Sequence, residues 1–228
     1  AEIEGYQKLI DGCRQVIDAW KPDVETYLDE ELKTYLAEHP EKQEELSEGH
    51  RPEPVEGWPM VKLGEVCEIM AGGTPSTSEE SYYKGGTIPW LKSEVCKDEI
   101  IEKSETFITE LGLKNSSAKI LKPNTTLIAL VGATIGKTGF ITFSATTNQN
   151  VAGLFPKDIS KLSELYLFYA VQALYKHFKK LGDGNFKMAS LSFIRLLEIP
   201  LPPLEVQRRI VEKIEAERKV INSLRQMV

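Results

Sequence analysis

The sequence predicts an α+β fold in which a strand-rich domain is flanked by long α-helices, and three observations carry that prediction. First, the two ends match. Ile3, Glu4, Lys8, Ile10, Arg14 and Gln15 recur as Ile214, Glu215, Lys219, Ile221, Arg225 and Gln226, while Leu9, Cys13, Val16 and Ile17 exchange for the apolar Val220, Leu224, Met227 and Val228. Second, both copies carry apolar residues at alternating spacings of three and four, the seam of a coiled coil. Third, from Trp58 the texture changes to short apolar runs broken by Gly, Pro and Thr, which is how strands and turns read.

The first helix, residues 1–20, places Ile3, Tyr6, Ile10, Cys13, Ile17 and Trp20 on its seam. The last, 204–228, places Ile210, Ile214, Ile221, Leu224 and Val228 there, with only Glu217 interrupting. At a rise of about 1.5 Å per residue, about 20 residues extend about 30 Å, too far for a seam to bury on itself, so each helix needs a partner helix. One such helix alone would read as an amphipathic surface helix. Its recurrence after a whole domain reads as a spacer between copies of that domain.

Residues 21–57 form an acidic segment. Ten carboxylates between Asp23 and Glu48 face only Lys33 and Lys42, so the overall charge of -6 is concentrated there and the remainder of the chain is slightly basic. Val24, Tyr27, Leu28, Leu32, Tyr35 and Leu36 have helical spacing, predicting a short helix ahead of a linker over 38–57 that contains Pro40, Pro52 and Pro54. The segment reads as an insertion that either docks a partner or presents a solvated face, the usual role of such a charge run.

Within 58–203 the expected strands are 61–69, 88–91, 125–131, 139–143 and 151–155. Leu165, Leu167, Phe168, Val171, Leu174, Tyr175 and Phe178 recur at helical spacing, predicting a helix over 162–181 capped from Ser160 or Ser163. Pro200, Pro202 and Pro203 then end the last strand and release the chain into the final helix.

Composition and motifs narrow the function. With 228 residues, 41% apolar and 27% charged, the chain can bury one substantial core with helical appendages, and it has neither a membrane-length apolar run nor a signal-peptide pattern, which predicts a cytoplasmic protein. Cys13, Cys67 and Cys96 are scattered and give no disulfide framework and no zinc site. The stretch Gly132-Ala133-Thr134-Ile135-Gly136-Lys137-Thr138 imitates a phosphate-binding loop, yet three residues separate its glycines where the cradle needs four, and a strand follows where a helix should open. An NTP-binding enzyme built on that loop is therefore the weaker alternative. No Gly-rich S-adenosylmethionine fingerprint is present, and His39, His50 and His177 form no catalytic group with Ser and Asp, so no cofactor and no catalysis are expected.

Six motifs in order carry a resemblance: Gly72-Gly73-Thr74-Pro75; 82–91, which ends Ile88-Pro89-Trp90-Leu91; 108–118; 132–137; Thr147-Asn148-Gln149; and 199–207, which ends Leu204-Glu205-Val206-Gln207. Together they resemble the target-recognition domain and trailing helix of the specificity subunit of type I restriction-modification enzymes, over roughly 58–228, and residues 2–20 resemble that family's spacer helix. The long acidic insertion departs from the family pattern, as does a single recognition domain where the common subunit has two.

The resemblance implies a non-catalytic subunit that reads double-stranded DNA, while separate adenine-N6 methyltransferase subunits carry S-adenosylmethionine and a motor-nuclease subunit cuts. It implies that the two spacer helices form an antiparallel coiled coil that sets the gap between the halves of a bipartite target. The chain is then expected either to be half of a two-domain subunit or to borrow its second half by forming a homodimer. A helical adaptor without DNA specificity is the other alternative. The expected DNA-binding residues are Thr74, Lys92, Ser93, Lys137, Thr138, Asn148, Gln149, Asn185 and Lys187, because small residues allow close approach, amides can read adenine, and lysines can meet phosphates or guanine. Motif residues shared by proteins with different targets can equally be scaffold.

Overall fold

A computed structural model describes residues 2–42, 57–175, 178 and 188–227. In chain order its elements are α1 (Glu2–Ala19), α2 (Val24–Glu38), β1 (Met60–Lys62), α3 (Leu63–Val66), β2 (Cys67–Ala71), β3 (Ile88–Leu91), β4 (Glu99–Ile101), β5 (Phe107–Ile108), α4 (Glu110–Lys114), β6 (Thr125–Ala129), β7 (Thr138–Ile141), β8 (Thr146–Thr147), β9 (Val151–Pro156), α5 (Glu164–Ala173), α6 (Leu191–Leu196), β10 (Glu198–Pro200) and α7 (Leu204–Met227). The α+β class with flanking helices holds.

The main sheet has the order β2-β9-β6-β7-β4, antiparallel except for the parallel β4–β7 edge. Every residue of β6 is buried, which explains its continuous apolar run: both faces of the sheet are covered. Ile128, Phe140, Ala152 and Leu154 join the core shared with α5, whereas Leu127, Ala129, Ile141 and Val151 join a second core with Leu91, Cys96 and Leu121. A three-stranded sheet, β5-β3-β8, lies beyond that second core, and the short β1–β10 pair brings Val61 opposite Ile199.

The expected single strand over 61–69 is instead β1, the one-turn α3, and β2. The interruption lets the chain cross from the small sheet to the main one. Leu63 donates its N–H to Leu197 O, Gly64 lies so close to α6 that a Cβ there would meet Arg195 Cβ at 2.9 Å, and Arg195 Nη2 donates to Ile69 O at 3.1 Å.

Helix α5 is buried on all sides along Tyr166–Val171, between the sheet and the helices α2 and α7. It starts at Ser163, whose side chain accepts from Tyr166 N–H, and ends at Ala173 with Leu174 as its cap, short of the expected 181; residues 176, 177 and 179–181 lie outside the described ones. The start of α7 is clamped to α5 by Gln207, a fully buried amide. Its Nε2 donates to Lys161 O and Pro202 O, each at 2.8 Å, and its Oε1 accepts from Ser163 N–H at 2.8 Å. The glutamine that closes the last sequence motif is thus scaffold.

Helix α2 runs antiparallel to α7, as its pairings show: Tyr27 with Glu217, Glu30 with Lys213, Glu31 with Lys213 and Arg209, and Glu38 with Arg209. Its solvated-face reading holds for the described carboxylates except Glu31. Val24, Leu28, Leu32 and Tyr35 belong to the main core, and Trp58 Nε1 donates to Leu28 O at 2.9 Å. Glu31, only 3% exposed, accepts from Arg209 Nε at 2.6 Å and pairs with Lys213 Nζ at 2.8 Å. Burial pushes the Glu31 carboxyl up, but the hydrogen bonds from Lys213 and Arg209 outweigh that and hold it below the usual carboxylate range. The same contacts raise Arg209 and Lys213. Part of the acidic charge therefore neutralises the basic flank of α7.

Helix α1 meets α7 at its far end, where Trp20 Nε1 donates to Glu217 Oε2 at 3.1 Å. Exposure along its seam rises away from that point: Ile17 is 3% exposed, Cys13 and Trp20 are half-buried, Ile10 is 36% exposed and Tyr6 68%. Tyr6 and Ile10, expected on a paired seam, are exposed in this structure. On α7, Ile210, Ile214 and Ile221 are buried and Leu224 is half-buried. The Ile3 side chain and Val228 lie outside the described residues.

Candidate nucleic-acid interface

The parallel strands β3 and β8 align Trp90 with Thr146 and Leu91 with Thr147, so their carboxyl ends open into loops side by side. The Gly72-Gly73 segment joins them. Gly73 N–H donates to Thr147 O at 2.8 Å, and Trp90 Nε1 donates to Gly73 O at 3.0 Å. The approach is too close for side chains: a Cβ on Gly72 would lie 1.9 Å from Thr147 O, and one on Gly73 2.2 Å from Ser117 Oγ. Four motif segments, around residues 72–78, 90–93, 116–119 and 146–150, therefore abut at one end of the domain.

Aromatic rings support this cluster from below. Tyr83 packs edge-on against Trp90 with centroids 5.8 Å apart, and its hydroxyl donates to Pro75 O at 2.5 Å. The cluster presents Ser76, Thr77, Ser78, Lys92, Ser117, Lys119 and Gln149 to solvent, with Thr74 and Ser93 half-buried. Lys92 Nζ stands 5.3 Å from the Trp90 centroid. Hydroxyls, an amide and lysine ammonium groups on a rigid sheet edge make a surface of hydrogen-bond donors suited to a nucleic-acid backbone and groove.

The structure divides the expected DNA-contact residues into two groups. Thr74, Lys92, Ser93 and Gln149 come together in the cluster. Lys137 and Thr138 lie elsewhere, at the start of β7, and are turned inward: Thr138 is fully buried with its N–H and hydroxyl on Asp98 Oδ1 at 3.0 Å, and Lys137 pairs with Asp98 and covers the Tyr175 ring at 4.4 Å. Asn148 is 8% exposed and its Oδ1 accepts from Asn150 N–H at 3.1 Å. These three hold loops in place through Asp98 and through the Asn148 carbonyl oxygen. Asn185 and Lys187 lie outside the described residues.

The Gly132 loop is a hairpin connection. Gly136 N–H donates to Ala129 O and Ala129 N–H to Lys137 O, both at 2.9 Å, while Gly132 and Gly136 take φ of +74° and +77°. Its N–H groups close β6 onto β7 where a phosphate cradle would turn them outward. Trp90, Tyr83 and Ser117 form the frame of the cluster; the sequence reading allowed Trp90 a scaffold role and gave none to Tyr83 and Ser117 in particular. The adjacent glycines at 72 and 73, just past the end of β2, were the available signal, since residues without a Cβ permit a close backbone approach.

Comparison with known proteins places this geometry. Residues 55–226 match the family model for the type I restriction modification DNA specificity domain. The type I restriction enzyme MjaIX specificity subunit of Methanocaldococcus jannaschii is 31% identical over 157 residues, 67% of this chain and 36% of that protein. The EcoR124I/EcoR124II specificity subunit of Escherichia coli is 27% identical over 169 residues, 71% of this chain and 41% of that protein. Among solved structures, the HsdS subunit from Thermoanaerobacter tengcongensis shares the fold over 99% of this chain and 51% of that one, with a TM-score of 0.57 and 24% identity. The S subunit from M. genitalium does so over 98% and 54%, with a TM-score of 0.59 and 17% identity. The chain thus spans 36% and 41% of the length of these two curated relatives.

Proposed function

This chain belongs to the type I restriction-modification DNA specificity family, and from that premise we propose that it reads one half of a bipartite double-stranded DNA target without performing catalysis itself. In this reading residues 58–203 are the target-recognition unit, 1–20 and 204–228 are spacer helices, and 21–57 fasten the spacer to the domain. The observation that carries it is the convergence of four motif segments on one rigid, donor-rich surface around Thr74, Lys92 and Gln149, at the carboxyl ends of β3 and β8.

Adenine-N6 methyltransferase subunits are the partners that would use this reading, with a motor-nuclease subunit acting through them in the cytoplasm. The uncovered stripe of Tyr6, Leu9 and Ile10 on α1 is where a second recognition unit, on the same polypeptide or on a second copy, would extend the helix pairing. Selection from a random duplex pool by the chain assembled with its methyltransferase subunits is expected to enrich a defined half-site. Retention of the pool without enrichment would leave a helical adaptor and overturn the reading.

A further inference from the structure

We propose that Gln149, oriented by Thr74, is a sequence-independent phosphate anchor of this interface, with Lys92 as its charged neighbour, and does not read a base. The inference rests on the DNA-recognition reading and assigns one contact within it.

Gln149 is held from both sides. Asn148 N–H donates to Leu91 O at 2.9 Å, Asn148 Oδ1 accepts from Asn150 N–H at 3.1 Å, and Asn150 O accepts from Leu130 N–H at 2.8 Å. The Gln149 side chain is exposed, and its Oε1 accepts a hydrogen bond from the Thr74 hydroxyl. That bond weights what the amide offers. Reading adenine with an amide takes both its oxygen and its nitrogen, one on N6 and one on N7. Thr74 takes one of the oxygen's two lone pairs while both Nε2 hydrogens are left for a ligand, so the amide offers donors in excess, matched to a pure acceptor. Phosphate oxygens are such acceptors, and every nucleotide carries them.

Charge and rigidity favour the same ligand. The Leu91–Thr147 register places Lys92 beside Asn148, one residue from Gln149, and Lys92 Nζ stands over Trp90, whose Nε1 bonds the carbonyl of Gly73 immediately before Thr74. Cation and amide are therefore mounted on one frame whose parts are fixed by backbone hydrogen bonds. A contact that the scaffold fixes in this way suits the invariant part of DNA, leaving base discrimination to the less constrained loops.

The test is equilibrium binding of the chain, assembled with its methyltransferase subunits, to the selected duplex, to single-base-pair variants of it and to an unrelated duplex, across a salt series. Gln149→Ala is expected to weaken every duplex by the same factor, about tenfold to a hundredfold for one lost hydrogen bond to a charged group. The log–log salt slope stays unchanged because a neutral amide releases no counterion. Lys92→Ala is expected to lower that slope by about 0.9. Gln149→Glu, nearly isosteric, should produce the largest uniform loss, and Thr74→Val a smaller uniform loss because the freed amide can rotate. A loss that depends on which base pair is changed, or wild-type binding by Gln149→Ala, would overturn the anchor. If the wild-type assembly prefers no duplex, the recognition reading fails instead, and a uniform Gln149→Ala loss on the unrelated duplex would still support the anchor.

Discussion

The two halves of α7 carry the same apolar pattern and do different work. Toward its start the helix is part of the domain: Gln207, Ile210 and Ile214 are fully buried against α2 and α5, and Arg209 and Lys213 are tied to the acidic helix. Toward its end α1 packs on it and Arg225 reaches Glu99 of β4 at 4.0 Å; Ile221 is buried while Val220 and Met227 are 59% and 79% exposed. A heptad-like stripe states that a helix needs a partner. It does not state whether that partner is the domain's own core or another helix pair, and here one helix has both.

Substitutions should separate the halves, beginning with the largest effect. Ile214→Ala removes a fully buried side chain from the domain half and is expected to cost about 2–5 kcal/mol, read as a lowered midpoint in chemical denaturation. Gln207→Leu orphans Ser163 N–H, Lys161 O and Pro202 O inside the protein, for an expected loss of about 2–4 kcal/mol. A thermal melt matching wild type would show that this amide is no clamp.

Next comes the charged clasp. The folded-state pKa of Glu31 is depressed, so its contribution is fully present above the ordinary carboxylate range and is lost as pH falls through the folded value. Glu31→Gln is therefore expected to cost about 1–2 kcal/mol at neutral pH, between an exposed and a buried pair, and the deficit should shrink as pH falls from the ordinary carboxylate range through the lower folded value. A deficit independent of pH would mean that shape, and not charge, holds α2 to α7. Smallest in stability is Ile10→Glu on the uncovered part of α1, expected to change folding by no more than about 0.5 kcal/mol while altering the mass of the assembly in solution. Unchanged mass would remove α1 from the list of pairing surfaces.

Periodicity made the helices legible, because α1, α2, α5 and α7 are long enough for a repeat to register. The main-sheet strands β6, β7 and β9 were legible as apolar runs because both of their faces are covered. The short strands β4, β5 and β8 were not: two or three residues show no alternation, and they exist because neighbouring strands offer them hydrogen bonds. At the candidate interface the motifs located the loops, and Thr74, Lys92, Ser93 and Gln149 do share a surface. Lys137, Thr138 and Asn148 have the same chemistry in sequence yet face inward. Asp98, a positive-φ residue far from them in the chain, captures Lys137 and Thr138, and no local pattern announces that contact. Glu31 alone departs from the solvated face for a related reason, since the cations that neutralise it lie on the last helix.

The most direct measurement is single-molecule sequencing for N6-methyladenine in DNA from cells expressing this chain with its methyltransferase subunits, against cells expressing those subunits alone. A new bipartite motif present only with the chain is the predicted result, and a palindromic one would mean that a second copy supplies the other half. An assembled complex that leaves the methylation pattern unchanged would contradict the account.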